Sequence, residues 1–237
     1  MVGAVLNRRL LRLQSVSVKA AYLKLSAFLL SPKTLTIPIP LLFMKRIIGL
    51  TGGIATGKTT VANYLANTYN LPILDADIYA KEAVAVDSPL LGKIVQRYGE
   101  KILLPNDNLN REKLSEIIFN NQEERLWIDN LIHPYVGDRL SVGIRETSLE
   151  TLVLVVPLLF EAGMTDLVTE IWVVSCSQKQ QLERLMNRNQ LTLEQAQARI
   201  RSQMSLKEKI NKADIVLKNN STVEKLLQQV DVAIFQK

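Results

Sequence analysis

Five short apolar runs with breakers at their ends recur between residues 46 and 217 and predict five strands: 46–50 (RIIGL), 72–74 (PIL), 151–156 (TLVLVV), 170–175 (EIWVVS) and 214–217 (DIVL). Within them apolar residues follow one another without alternation. That is the pattern of strands covered on both faces, so a parallel sheet between two helical layers is expected, a three-layer α/β/α fold. The intervening segments carry apolar residues at helical spacing, as with Val61, Tyr64 and Leu65 in 60–69, or Leu182, Leu185 and Met186 after Ser177.

The spacing of the strands is uneven. More than seventy residues separate the second from the third, too many for one crossover helix. Helix starts fit at Ser88-Pro89, with proline at the first helical position, after Asn110, and after Asn121, where Glu124 stands in the capping-box place. This insert, about 78–147, leaves the sheet at the carboxyl end of a strand, where a second substrate is expected. A helical excursion, about 177–213, parts the fourth strand from the fifth. Three S/T-x-x-E/Q signals punctuate it: Ser177 with Gln180, Thr192 with Gln195 and Ser205 with Glu208.

The chemistry enters with GGIATGKTT, residues 52–60. Gly52 and Gly57 bracket four residues and Lys58 and Thr59 follow, the G-x-x-x-x-G-K-[ST] pattern of a phosphate-binding loop. Glycines let successive N–H groups turn inward, and a helix starting near Gly57 adds its positive end. Lys58 then reaches the outer phosphates of a nucleotide, and the Thr59 hydroxyl helps to hold Mg²⁺. The four fixed positions coincide by accident in roughly one chain in a hundred of this length. Here a predicted strand precedes the loop and a predicted helix follows it.

At the end of the second strand, DADIYAK places Asp75 and Asp77 at the rim where the loop opens, on one side if the strand runs that far. Two acids beside a triphosphate repel it unless they serve the metal or take a proton from an attacking hydroxyl. The plainer role for one of them is to cap the next helix. Arg184 and Arg188, four apart, suit a lid that closes over the phosphates and excludes water. NKAD at 211–214 imitates the guanine motif of regulatory GTPases, but it closes a helix instead of following a strand, and no D-x-x-G occurs.

Composition alters this picture little. The formal charge is +6, but six of the 29 basic residues and none of the 23 acidic ones lie in 1–43, so the rest is formally neutral and the charge does not argue for nucleic acid. Residues 1–43 are basic, acid-free and serine-containing and end in TLTIPIPLLF. An organellar transit segment has this composition. The reading preferred is a start at Met44, which leads directly into the first strand. No run reaches the roughly 18 uncharged apolar residues of a membrane span. The lone Cys176, inside IWVVSCS, is expected to be a buried small hydrophobe.

Seven stretches together resemble the dephospho-CoA kinases: IIGLTGGIATGKTTVA, DADIYAK, LIHPYV (131–136), VVPLLFE (155–161), LERLMNRN, ARIRSQ and ADIVLKNN, in order over 44–237. The resemblance implies transfer of the ATP γ-phosphoryl group, with Mg²⁺, to the ribose 3′-hydroxyl of dephospho-CoA in the last step of coenzyme A synthesis. It implies a cytoplasmic enzyme with small-molecule partners and no nucleic acid or membrane. It assigns Gly53, Ile54, Ala55, Thr56, Gly57, Lys58, Thr59 and Thr60 to the nucleotide, with Arg188, and Asp77, Lys58 and Arg184 to catalysis. Asp75 and Thr59 fall near the metal, and Asp75, His133, Pro157, Leu158 and Glu161 on the acceptor side. A helix broken at Pro134 would by itself account for His133. Three residues depart from the common pattern: Ala55 in place of glycine, Asn189 in place of aspartate after the lid arginine, and Lys218 in place of aspartate before the asparagine pair.

Overall fold

The computed structural model describes residues 45–236; the expectations for 1–43 lie outside them. Five parallel strands, β1 (Arg46–Gly52), β2 (Ile73–Asp75), β3 (Thr151–Val155), β4 (Glu170–Ser175) and β5 (Ile215–Lys218), form one sheet in the order β2-β3-β1-β4-β5. β1 lies at the centre, flanked by the two longest apolar runs, so the loop that leaves it emerges from the most deeply covered part of the sheet.

Strand periodicity distributes the apolar runs between two cores. Ile48, Leu50, Val153, Val155, Trp172 and Val174 face helices α1 (Lys58–Tyr69) and α9 (Val223–Phe235). Leu152, Leu154, Ile171 and Val173 face the other way, against α5 (Gln122–Glu146) and α8 (Leu206–Asn211). The three layers inferred from unbroken apolar strands are therefore present. Arg46, at the start of β1, pairs with Glu170 at 2.8 Å and donates to carbonyls at the end of α9, which ties the last helix to the sheet.

The stretch between β2 and β3 folds into α2 (Ala76–Glu82), α3 (Pro89–Tyr98), α4 (Arg111–Asn120) and α5. It has its own core of Ala83, Val84, Leu91, Ile94, Ile102, Leu109, Leu114 and Ile128. Ile132 touches both this cluster and the sheet. The excursion after β4 comprises α6 (Gln178–Asn189), α7 (Leu193–Arg201) and α8, each opened by the capping box foreseen from sequence.

Local details differ from expectation for identifiable reasons. β2 ends at Asp75, whose carboxylate accepts the Asp77 N–H and starts α2, so Asp77 sits in a helical first turn and not on the strand. Asn121 alone caps α5, because Glu124 is drawn away to Arg97 and Tyr98, which hold its carboxyl down to about 2. Pro134 does not break α5, which runs unbroken through 25 residues. The missing N–H costs one helical bond, and the packing of Val136 and Leu140 beyond it on the sheet offsets that loss.

Candidate active site

The loop after β1 is shaped to present N–H groups. Gly52 and Gly57 have φ of 147° and 107°, and a Cβ on either would stand 2.3 Å from the Val174 carbonyl or 2.4 Å from the Asn219 amide, so only glycine fits. Gly57 begins α1 without a side-chain cap and without an acid in the first turn, whereas every other α-helix among the described residues is capped by a side-chain oxygen. The exposed end of α1 thus keeps its positive pole for an anion.

Ala55 lies at φ 59°, in the left-handed region. The departure from glycine at this position is therefore strained, by about 1–2 kcal/mol. Ala55→Gly is expected to raise stability by about 0.5–1 kcal/mol, since the relief exceeds the added freedom of the unfolded chain. Chemical denaturation checks this. A loss of stability would mean that the methyl group has packing of its own.

Three amide side chains, none of them expected from sequence to support the loop, brace it. Gln181 on α6 donates to the Ile54 carbonyl (2.8 Å), Gln203 accepts the Ile54 N–H (3.0 Å), and Asn219 after β5 donates to the Thr56 carbonyl (2.9 Å). ARIRSQ and ADIVLKNN carry Gln203 and Asn219, so these stretches of the resemblance contribute loop supports. Gln181 is buried on the face of α6 shared with Leu185, and the same helix sets Arg184 half-buried against the loop's support. Arg184 Nη2 donates to the Asn219 carbonyl (3.2 Å), while its Nη1 is buried with no hydrogen-bond partner, a donor suited to an anionic or aromatic ligand group. Arg188, one turn on, is exposed, and its Nε donates to Asn189. Cys176 is buried as expected, and burial pushes its thiol up.

Lys58 Nζ donates to the carbonyls of Gly53 (2.8 Å) and Gly52 (3.2 Å). Its ammonium is lowered to about 8, first by burial and next by the charge of Lys209, with Asp77 opposing. Asp77 is in turn raised by desolvation and by neighbouring Asp75, with Lys58 opposing. The loop lysine and the rim acid therefore feel each other. Thr59 and Thr60 are exposed in the first turn of α1.

Asp77 also lines a cavity of about 190 Å³, together with Asp129, His133, Pro157, Leu158 and an apolar wall that includes Ile132, Val136 and Met164. His133 Nε2 stands 3.8 Å from Asp129, one helical turn earlier on α5. Burial raises the Asp129 carboxyl, and His133 opposes that. Asp129 was missed because an acid four residues before a histidine on a helix reads as an ordinary surface pair. Of the acceptor-side residues expected, His133, Pro157 and Leu158 line this cavity. Glu161 instead turns toward the excursion, accepting the Met204 N–H and pairing with Lys209, both at 2.9 Å.

A central-strand phosphate loop on a 2-3-1-4-5 parallel sheet, with an acid-bearing cavity alongside, defines a nucleotide-dependent phosphotransferase of the phosphate-loop kind. The dephospho-CoA kinase profile (CoaE) matches residues 46–225. The dephospho-CoA kinase of Trichormus variabilis is 66% identical over 190 residues, covering 80% of this chain and 97% of that one. That of Synechocystis is 51% identical over 187 residues, covering 78% and 93%. The solved dephospho-CoA kinase from Campylobacter jejuni superposes with a TM-score of 0.60 at 30% identity, covering 81% and 96%. The chain belongs to the dephospho-CoA kinase family.

Proposed function

We propose that the chain transfers the γ-phosphoryl group of ATP to the ribose 3′-hydroxyl of dephospho-CoA, giving coenzyme A and ADP. Family membership supports the reaction class and its substrates. The observation that carries the site assignment is that Asp77, in the first turn of α2, lines the cavity together with His133, Pro157 and Leu158, while its charge and that of Lys58 on the phosphate loop influence one another.

In this reading the loop amides and the end of α1 hold the triphosphate, and Lys58 leaves the Gly52 and Gly53 carbonyls for its outer oxygens. The adenosine end of dephospho-CoA enters the cavity between α2 and α5. There Asp77 accepts the hydroxyl proton, and His133 with Asp129 orients the ribose. Arg184 and Arg188 act from the 177–213 lid, neutralising charge as it spreads over the moving phosphoryl group. The work of the protein is positioning and charge neutralisation.

Mg²⁺ is part of this proposal. Thr59 and Asp75 offer the hydroxyl and carboxylate oxygens that a hard cation takes. The mutual repulsion of Asp75 and Asp77, visible in the raised Asp77 carboxyl, is the kind of charge that such an ion relieves. When bound it would neutralise phosphate charge. The compartment in this reading is the cytoplasm. Among the described residues no helix is long and apolar enough to cross a membrane.

A coupled ADP-release assay with dephospho-CoA, AMP, shikimate and nucleosides as acceptors tests the assignment. Turnover with dephospho-CoA at least about 100-fold above the others is expected, because an acceptor that leaves Asp77, Asp129 and His133 unpaired in a largely apolar cavity forfeits the hydrogen bonds that offset their burial. Equal or better use of another acceptor would overturn it.

A further inference from the structure

The returning limb of the excursion is bonded to both halves of the site. Gln203 holds the Ile54 N–H in the phosphate loop. The next residue, Met204, donates its N–H to Glu161 (2.9 Å), and Lys209, one turn into α8, pairs with the same carboxylate oxygen at 2.9 Å. Lys209 Nζ also donates to the Pro157 carbonyl at 2.8 Å. That carbonyl accepts the Thr51 hydroxyl as well (3.1 Å), from the end of β1. Pro157 is a wall of the cavity that Asp77 lines. One run of seven residues, 203–209, therefore touches the nucleotide loop at one end and the acceptor wall at the other.

Lys209 is fully buried, at 0% exposure. Taking an ammonium out of water costs several kcal/mol, and a single carboxylate partner returns about as much. An apolar residue of similar volume, beside Leu206 and Ile210, would seat α8 on the sheet equally well. It could not grip Pro157 and Glu161 at once. The stability of α8 thus gives no reason for a lysine here, whereas the geometry of the site does. Its charge also reaches Lys58, as the lowered ammonium there records.

We infer that Lys209 is a positioning residue for phosphoryl transfer: through Pro157 and Glu161 it fixes the acceptor wall relative to the phosphate loop, and the 203–209 limb makes each substrate strengthen binding of the other. Lys209 itself touches neither reactant. The inference rests on the dephospho-CoA kinase reading above. Because coupling between two binding sites is reciprocal, it can be measured from either side.

The test is calorimetric binding of a non-hydrolysable ATP analogue with and without dephospho-CoA, beside steady-state kinetics, on the wild type, Lys209→Met, Glu161→Gln and Gln203→Ala. The wild type is expected to bind the analogue about 5–150-fold more tightly when dephospho-CoA is present. In Lys209→Met this factor is expected to fall to within about twofold of unity, with KM for dephospho-CoA raised about tenfold, kcat lowered, and binary affinity for the analogue nearly unchanged. Glu161→Gln, which keeps an acceptor for Met204 but not the charge, is expected to lose part of the factor. Gln203→Ala breaks the limb at its other end without emptying a buried charge site and is expected to lower the factor even if Lys209→Met folds poorly. A wild type that makes coenzyme A without any such factor, or variants that lose thermal stability yet keep the wild-type factor and KM, would overturn the inference. A wild type that leaves dephospho-CoA unphosphorylated would overturn the underlying reading instead.

Discussion

Replacing Asp77 with asparagine is expected to lower kcat by about 10²–10⁴-fold, the range for loss of a positioned general base. KM for dephospho-CoA should change little, because a group that acts only as the proton moves contributes to kcat and kcat/KM alike. The substitution is nearly isosteric, and the cap that starts α2 uses the Asp75 carboxylate and the Asp77 backbone N–H, so local structure survives. The Asp77 carboxyl is raised by desolvation and by Asp75, which strengthens it as a base. It must be ionised to accept a proton. The wild-type rate should therefore rise with pH through an acid limb above the usual carboxylate range, and that limb should vanish in Asp77→Asn. A coupled assay between pH 4.5 and 8 reads both effects, and an unchanged kcat would remove Asp77 from the reaction.

Lys58→Met is expected to cost at least about 10²–10³-fold in kcat/KM, the loss that follows removal of one preorganised donor to developing charge. A pH dependence accompanies it. With its folded-state value lowered to about 8 by burial and by Lys209, Lys58 is an ammonium below that pH and increasingly neutral above it. ATP affinity of the wild type should hold below pH 8 and weaken by up to about tenfold per pH unit above it, and the variant should lack this decline. Folding moves in the opposite direction. Between about 8 and the ordinary lysine value near 10.5 the unfolded chain binds the proton and the folded chain does not. Stability contributed through this residue therefore rises with pH across that window, by at most about 1.4 kcal/mol per unit. The wild-type minus Lys58→Met difference in denaturation midpoints between pH 7.5 and 10 isolates it. A flat difference would show that Lys58 is not held neutral by its surroundings.

The elements were legible in the sequence wherever a local rule acted alone. Unbroken apolar runs gave five parallel strands because nothing else in the chain competes for the centre of the sheet. Three capping boxes, and the helices opening at Ser88 and Asn110, followed from hydrogen bonds completed within four residues. The phosphate loop was legible because its glycines answer to backbone geometry.

Legibility stopped where a residue's role depends on a distant partner. Glu124 has the spacing of a capping box, yet Arg97 and Tyr98, from another helix, claim its carboxylate. Glu161 belongs to one motif with Pro157 and Leu158 of the cavity wall, yet its oxygen faces Met204 and Lys209, more than forty residues on. Gln203 and Asn219 stand inside stretches of the resemblance and Gln181 just outside one, but nothing local marks any of the three as a loop support, because an amide that braces a loop across the fold looks like any polar residue on a helix or turn. Pro134 was readable as a break only by ignoring the tertiary packing on either side of it.

The separate apolar core under α2 to α5 carries a consequence for how such an enzyme can change. Side chains such as Leu91, Ile94 and Leu114 set the shape of the insert without reaching the layers that seat β1. Substitutions among them can therefore reshape the outer part of the insert, residue by residue, while the cavity, walled by Val136, Val156 and Met164 of the sheet-side core, stays as it is. Ile132, shared by the insert and the sheet, is the position where that independence ends.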